Sequence, residues 1–194
     1  MIAARGLGRS FGAKAVLRDL DLDVAERDLL LVTGPNGSGK STLLALCAGL
    51  LAPTRGELEV SVERGRIGYL AHEPLLYREL TALENLDLYG RLYRVPERRE
   101  RIGMFLERYG LWEERRERVG TFSRGMQQRL ALCRTLLHEP DLLLLDEPYA
   151  GLDEEGAELL DGELRALTGT RTLLLATHDP GRVAPLASGR LALA

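Results

Sequence analysis

An α/β protein is predicted from three features of the 194-residue sequence. The runs "DLLLVTG", "DLLLLD" and "RTLLLAT" are continuously apolar, as strands buried on both faces of a sheet must be. Segments of helical period stand between them. The first run leads directly into the glycine-rich turn "GPNGSGKST", which opens one of those helices. Strand and helix alternating in this way put a largely parallel sheet at the centre of the fold.

Taken in order, "IAARGLGRSF" and "AVLRDLDLDV" read as strands ahead of the buried "DLLLVTG". "STLLALCAGLLAP" has helical period and is expected to stop at Pro53, with "TRGELEV" and "GRIGYL" as two further short strands. From Thr81 to Val119 the pattern turns helical: Thr81 and Glu84 form a capping box, and Pro96 suits the first turn of another helix. Ser123 to His138 is a helix, "DLLLLD" a strand, Asp153 to Leu167 a helix and "RTLLLAT" a strand, followed by a short helix and strand. One domain is expected over residues 1–194, with a helical subdomain at about 81–138 inserted in its core.

Net charge is −3, so no global field recruits nucleic acid or anionic lipid. Between Arg91 and Val119, six glutamates are threaded among nine arginines, which reads as solvated helical faces with i,i+4 pairs rather than an RNA-binding stripe. Neither a signal peptide nor a run of eighteen apolar residues is present, so the chain is expected not to span a membrane. Cys47 and Cys133 lie in apolar helical contexts without CxxC spacing, which fits buried, reduced thiols and no metal site. Lysine occurs only at Lys14 and Lys40, which excludes an Asn-Lys-x-Asp guanine reader.

Gly34 to Thr42 fits G-x-x-x-x-G-K-[ST] and lies between a buried strand and a helix, as that phosphate-binding loop requires. Gly34, Gly37 and Gly39 let the backbone curl, so that the N–H groups of Pro35-flanked Asn36, Ser38 and their neighbours turn towards phosphate oxygens beside a helix N-terminus. Lys40 reaches the β and γ phosphates, and Ser41, followed by Thr42, offers an oxygen to Mg²⁺. A second buried strand delivers Asp146 and Glu147 at its C-terminal end, where ligands sit in open α/β sheets. Asp146 suits Mg²⁺ through water, and Glu147 suits a general base acting on water beyond the γ-phosphate.

Three further stretches are "TFSRGMQQRLALCRTLLHEPDLLLLDEP" from Thr121, "YAGLD" from Tyr149 to Asp153, and "LLLATHD" from Leu173 to Asp179. With the phosphate loop they resemble an ABC-type ATPase over essentially the whole chain. The resemblance implies a P-loop NTPase core of the ABC type, α/β, with an antiparallel β subdomain and the helical subdomain. It implies ATP and Mg²⁺ as cofactors and a homodimer closed around two ATP molecules. Integral membrane permease subunits would be partners, holding the chain to the cytoplasmic side of the inner membrane; no nucleic acid partner is implied.

Residue by residue, "FSRGM" from Phe122 resembles the signature usually written Leu-Ser-Gly-Gly-Gln, keeping Ser123 and Gly125 but departing at Arg124 and Met126. In the family this segment faces a nucleotide bound by a second subunit. Ala150 to Asp153 would be the D-loop lining that contact, and His178 the switch histidine that orients the water held by Glu147. Phe11 matches the aromatic that stacks on adenine, although a core phenylalanine fits the sequence equally well.

His72 stands where the family normally has a glutamine whose loop senses both the Mg²⁺–phosphate site and the membrane subunit. Imidazole nitrogen is a poor Mg²⁺ partner, so signal transmission suits His72 better than direct ligation. "HEPLLYRELTALENL", from His72 to Leu86, narrows the resemblance to the ATP-binding subunit of the haem exporter of cytochrome c maturation, as does the small size of the chain. Copper-site maturation, lipid, polysaccharide and drug exporters share the architecture and remain alternatives. Soluble ABC proteins usually carry coiled-coil insertions or tandem cores, neither of which occurs here; a non-hydrolysing scaffold is the third class.

Overall fold

A computed structural model describes residues 1–194. The three leucine runs form adjacent parallel strands, β3 (Leu29–Thr33), β6 (Leu142–Asp146) and β7 (Thr172–Ala176). With β5 (Ile67–Leu70) and β8 (Gly189–Ala192) they make a sheet of order β5-β6-β7-β3-β8. Leu29, Leu31, Leu143, Leu145, Leu173 and Leu175 enter one apolar core, and Leu30, Val32, Leu142, Leu144, Leu174 and Ala176 enter another. Each fully buried leucine contributes about 1.5–3 kcal/mol, so both faces must be covered for such strands to be stable.

One cover is the antiparallel sheet β2-β1-β4, made from β1 (Ile2–Phe11), β2 (Lys14–Val24) and β4 (Arg55–Val60). Ile2, Ala4, Leu7, Leu17 and Val24 of this sheet share a core with Leu43, Leu44 and Cys47 of α1 (Lys40–Cys47). The other cover is helical: α2 (Ala82–Leu92), α3 (Arg98–Arg108), α4 (Arg124–Leu136) and α5 (Glu154–Leu167). Leu86, Ile102, Leu106, Leu130, Leu160 and Leu164 from these helices join the first core.

The capping box at α2 is present in both directions, Glu84 N–H to Thr81 Oγ1 at 3.1 Å and Thr81 N–H to a Glu84 carboxylate oxygen at 2.8 Å. Three expectations need correction. Helix α1 ends at Cys47, six residues before Pro53, because Gly49 turns left-handed (φ 68°) and Leu50 N–H caps Ala45 O. Pro96 lies two residues ahead of α3 rather than in its first turn, since Glu97 takes a left-handed φ of 47° before the helix begins. The expected C-terminal helix is a run of turns over 181–186; Pro180 and Pro185 lack the N–H groups that a continuous helix would use.

The arginine-rich stretch also differs from the expected pattern. Arg91 does pair with Asp87 four residues before it, but Arg98 meets the same Asp87 from the next helix. Arg101 reaches Glu139, and Arg108 reaches Glu163 on α5. These charges therefore fasten α3 to its neighbours. Cys47 and Cys133 are free and buried, and burial pushes the Cys47 thiol up to about 12.

Candidate nucleotide site

The loop between β3 and α1 has positive φ at all three motif glycines, 151° at Gly34, 85° at Gly37 and 103° at Gly39. At Gly39 a Cβ would stand 2.7 Å from a Leu17 methyl, so both the conformation and the packing require glycine. The Lys40 side chain folds back over this curl and donates to Gly34 O at 2.8 Å and Pro35 O at 3.1 Å. Lys40 is only 6% exposed, and its charge is thereby held at the loop's mouth.

Strand β6 points Asp146 at the same place. Asp146 is 1% exposed, and neither carboxylate oxygen completes a hydrogen bond. Burial pushes its carboxyl above the ordinary 3.8, while the nearby Ser41 hydroxyl and the His72 imidazole pull it partly back. A buried carboxylate with both oxygens free, beside a hydroxyl, fits a hydrated divalent cation shared with nucleotide phosphates. No group of three or more His, Cys, Asp or Glu converges here, so the phosphates would have to complete the coordination.

Glu147 has a left-handed φ of 47°, which costs energy in a residue with a Cβ and re-aims the chain as β6 ends. The surrounding contacts fix that conformation. Glu147 N–H donates to Ala176 O at 2.8 Å, Thr177 Oγ1 donates to one carboxylate oxygen at 2.9 Å, and His178 N–H donates to the other at 2.9 Å. His178 Nδ1 also stands 2.9 Å from that second oxygen, so the imidazole lies against the Glu147 carboxylate.

Asn36, Gly37, Gly39, Lys40, Ser41, Thr42, His72, Asp146, Glu147 and His178 line one cleft of about 490 Å³. Ser38 faces a neighbouring hollow, and Gly34 and Pro35 lie behind it as acceptors for Lys40. Phe11 is 46% exposed, so the core-phenylalanine reading fails; it stands at the β1–β2 hairpin opposite Lys14, which does line the cleft. Ser123 and Gly125 do not line it: Ser123 Oγ accepts from Met126 N–H at 3.2 Å as the cap of α4. Asp153 caps α5 through Gly156 N–H at 2.9 Å and also lies outside the cleft.

A family model described as ABC transporter matches residues 17–150, which hold most of the residues lining this cleft. The chain belongs to the ABC transporter family. It is 40% identical over 185 residues to YxlF of Bacillus subtilis (strain 168), an uncharacterised ABC transporter ATP-binding protein, covering 92% of this chain and 62% of that protein. It is 40% identical over 189 residues to the daunorubicin resistance ATP-binding protein DrrA3 of Streptomyces coeruleorubidus, covering 91% and 60%. The chain thus spans about three-fifths of the length of these curated relatives. Among solved structures, the ATP-binding cassette MJ0796, described as a dimer in a post-hydrolysis state with ADP and Pi, superposes with a TM-score of 0.88. That match has 28% identity and covers all of this chain and 94% of the other.

In this ABC-family chain the loop carrying His72 is held from both ends by residues that sequence reasoning passed over. Buried Arg134 on α4 donates to Tyr69 O at 2.7 Å and Leu75 O at 3.3 Å. Buried Asn85 on α2 accepts from Tyr77 N–H at 2.8 Å and donates to Tyr77 O and Thr81 O, each at 2.9 Å. The signal was a polar residue on an otherwise apolar helical face, in "LENL" and "LCRTLL". Thr177, which grips Glu147, stood in "LATHD" beside the more conspicuous histidine.

The orphaned Asp146 carboxylate gives a stability prediction. Its folded pKa is raised, so ionisation opposes folding fully above that pKa, and the penalty disappears as pH falls to the ordinary 3.8. Asp146→Asn should therefore raise nucleotide-free stability at pH 7 by about 1 kcal/mol, with the gain shrinking towards pH 4. Urea unfolding at the two pH values checks this, and added ATP-Mg²⁺ should stabilise the parent protein more than the variant.

Proposed function

We propose that this chain is the ATP-binding and hydrolysing subunit of an ABC transporter, closing as a homodimer around two ATP molecules to drive a membrane subunit. The observation that carries the reading is the convergence of Lys40, Asp146, Glu147 and His178 on one cleft. Lys40, released from Gly34 O and Pro35 O, binds β and γ phosphate oxygens together with the loop's N–H groups. Ser41, and Asp146 through water, would hold Mg²⁺, which would supply positive charge to offset that of the phosphates. Glu147 accepts the proton of the attacking water, and His178, anchored to it through its backbone N–H, lines the same cleft. Phe11 stacks on adenine, and Ser123 with the N-terminus of α4 meets the nucleotide of the second copy.

No helix is long and apolar enough to cross a membrane, and the proposed partner is a membrane-spanning subunit. The docking face follows from exposed apolar side chains around the His72 loop: Leu50, Leu75, Tyr77 and Tyr93 are all exposed beside a hollow lined by Tyr69, Tyr89 and His138. Arg134 links this face to α4, whose opposite end begins at Ser123. His72 shares the cleft with Asp146, and its loop runs on to Leu75 of the face, which supports transmission as its role. His72→Gln should leave basal hydrolysis within about twofold and reduce transport-coupled hydrolysis more strongly; equal rates in reconstituted vesicles would reduce His72 to a lineage marker.

Haem export for c-type cytochrome biogenesis is the cargo that "HEPLLYRELTALENL" supports. A second reading, another small-molecule exporter, is favoured by relatives named for daunorubicin resistance, Nod factor export and bacitracin transport. Purification in mild detergent decides between them. Co-purification of a small six-helix membrane subunit with a haem-handling companion supports haem export; a large drug-exporter-like subunit contradicts it.

A further inference from the structure

Tyr149 and Arg182 have no part in the mechanism above, yet they complete a second connection around Glu147. Tyr149 follows Glu147 by two residues and opens the turn that leads to Asp153, closed by Ala150 N–H to Glu147 O at 3.0 Å and Leu152 N–H to Tyr149 O at 3.2 Å. Its ring packs on the core that α4 and α5 share, and its hydroxyl donates to Asp161 of α5 at 2.6 Å. Burial and the Asp161 carboxylate push the Tyr149 phenol up, so the hydroxyl stays a donor. The other Asp161 oxygen accepts from Arg182 at 2.9 Å, and the second arm of the same guanidinium reaches Glu154 at 2.5 Å. Arg182 stands four residues after His178, in a stretch of bends and turns that no helix or strand ladder fixes. The segments that carry Glu147 and His178 are thus joined twice. One link is direct, from Thr177 Oγ1 and His178 N–H to the Glu147 carboxylate. The other runs from Tyr149 through Asp161 to Arg182, three residues that do not line the cleft.

We infer that Arg182 is a positioning residue for ATP hydrolysis, acting through Asp161 and Tyr149 to hold the Glu147 turn and the His178 segment at a fixed separation. This inference rests on the ATP-hydrolysing reading. Arginine suits the task because its planar fork meets two carboxylates at once, which a lysine ammonium does not do in a fixed geometry. Without it, the Asp161 side chain, only 14% exposed, keeps its charge beside a single neutral partner, and the tie between the segments is lost. Glu154 is exposed, so its arm of the fork adds little. What Arg182 sets is where the base and the histidine stand relative to each other, and a displacement of about 1 Å at a reacting group costs up to about 10²-fold in rate.

The test is steady-state ATP hydrolysis by the full chain, with kcat and KM measured separately. Arg182→Ala should lower kcat about five- to tenfold with KM for ATP within about twofold, and Arg182→Lys should recover part of the loss. Tyr149→Phe, which removes only the hydroxyl, should give a similar fall in kcat. The double variant should match the weaker single variant within about twofold, because both substitutions cut the same tie. Unchanged kcat, a rise in KM alone, or falls that multiply in the double variant would overturn the inference. So would a loss of kcat no larger than the loss of folded protein in urea unfolding, since the role would then be structural only. Absence of ATP turnover by the parent chain would instead overturn the hydrolysing reading, and the Arg182 assignment with it.

Discussion

Glu147→Gln should lower ATP turnover by about 10²- to 10⁴-fold, the range lost with a general base, while ATP-Mg²⁺ affinity stays within about twofold. Glutamine keeps the length of the side chain and one oxygen for the His178 N–H, and Thr177 Oγ1 can accept from the new amide as readily as it donates to the carboxylate. The left-handed turn at residue 147 therefore survives, held by its N–H to Ala176 O at 2.8 Å. What disappears is the acceptor for the water's proton. Single-turnover phosphate release with bound nucleotide quantified in parallel checks both halves. A drop in affinity matching the drop in rate would mean that Glu147 binds rather than catalyses.

Lys40→Ala should act on the other parameter. The ammonium leaves two carbonyl acceptors at 2.8 and 3.1 Å and its place in the cleft, and a charged hydrogen bond is worth about 1.5–3 kcal/mol, so ATP affinity should fall by at least about tenfold. Three positive-φ glycines set the curl of the loop independently of the lysine, so the fold should persist with an unchanged far-ultraviolet spectrum. Equilibrium ATP binding and circular dichroism together distinguish loss of a ligand from loss of structure.

The strands were legible because burial on both faces leaves a signature of uninterrupted leucine, as at Leu142 to Leu145. The phosphate loop was legible because its backbone conformation demands glycine at fixed intervals, and the helix cap at Thr81 because its side-chain oxygen satisfies a defined N–H group. Contacts between distant segments were not legible. Arg101 to Glu139 and Arg108 to Glu163 join residues 38 and more apart, and local charge alternation suggested i,i+4 pairs instead. The grip of Thr177 on Glu147 and the placement of Arg124 against Gly151 likewise depend on which strand ends meet, which periodicity does not encode. The end of α1 was misjudged because proline is a conspicuous stop, whereas a left-handed Gly49 stops a helix just as firmly.

The proposed cycle rests on closure of two copies of this chain around nucleotide, since a ligand shifts an equilibrium only by its preference for one state. Sedimentation of the Glu147→Gln chain with and without saturating ATP-Mg²⁺ is the decisive measurement. The expected result is a monomer without nucleotide and a dimer with ATP, reversed when ADP is exchanged for it. A chain that stays monomeric in saturating ATP-Mg²⁺ would contradict nucleotide-driven closure.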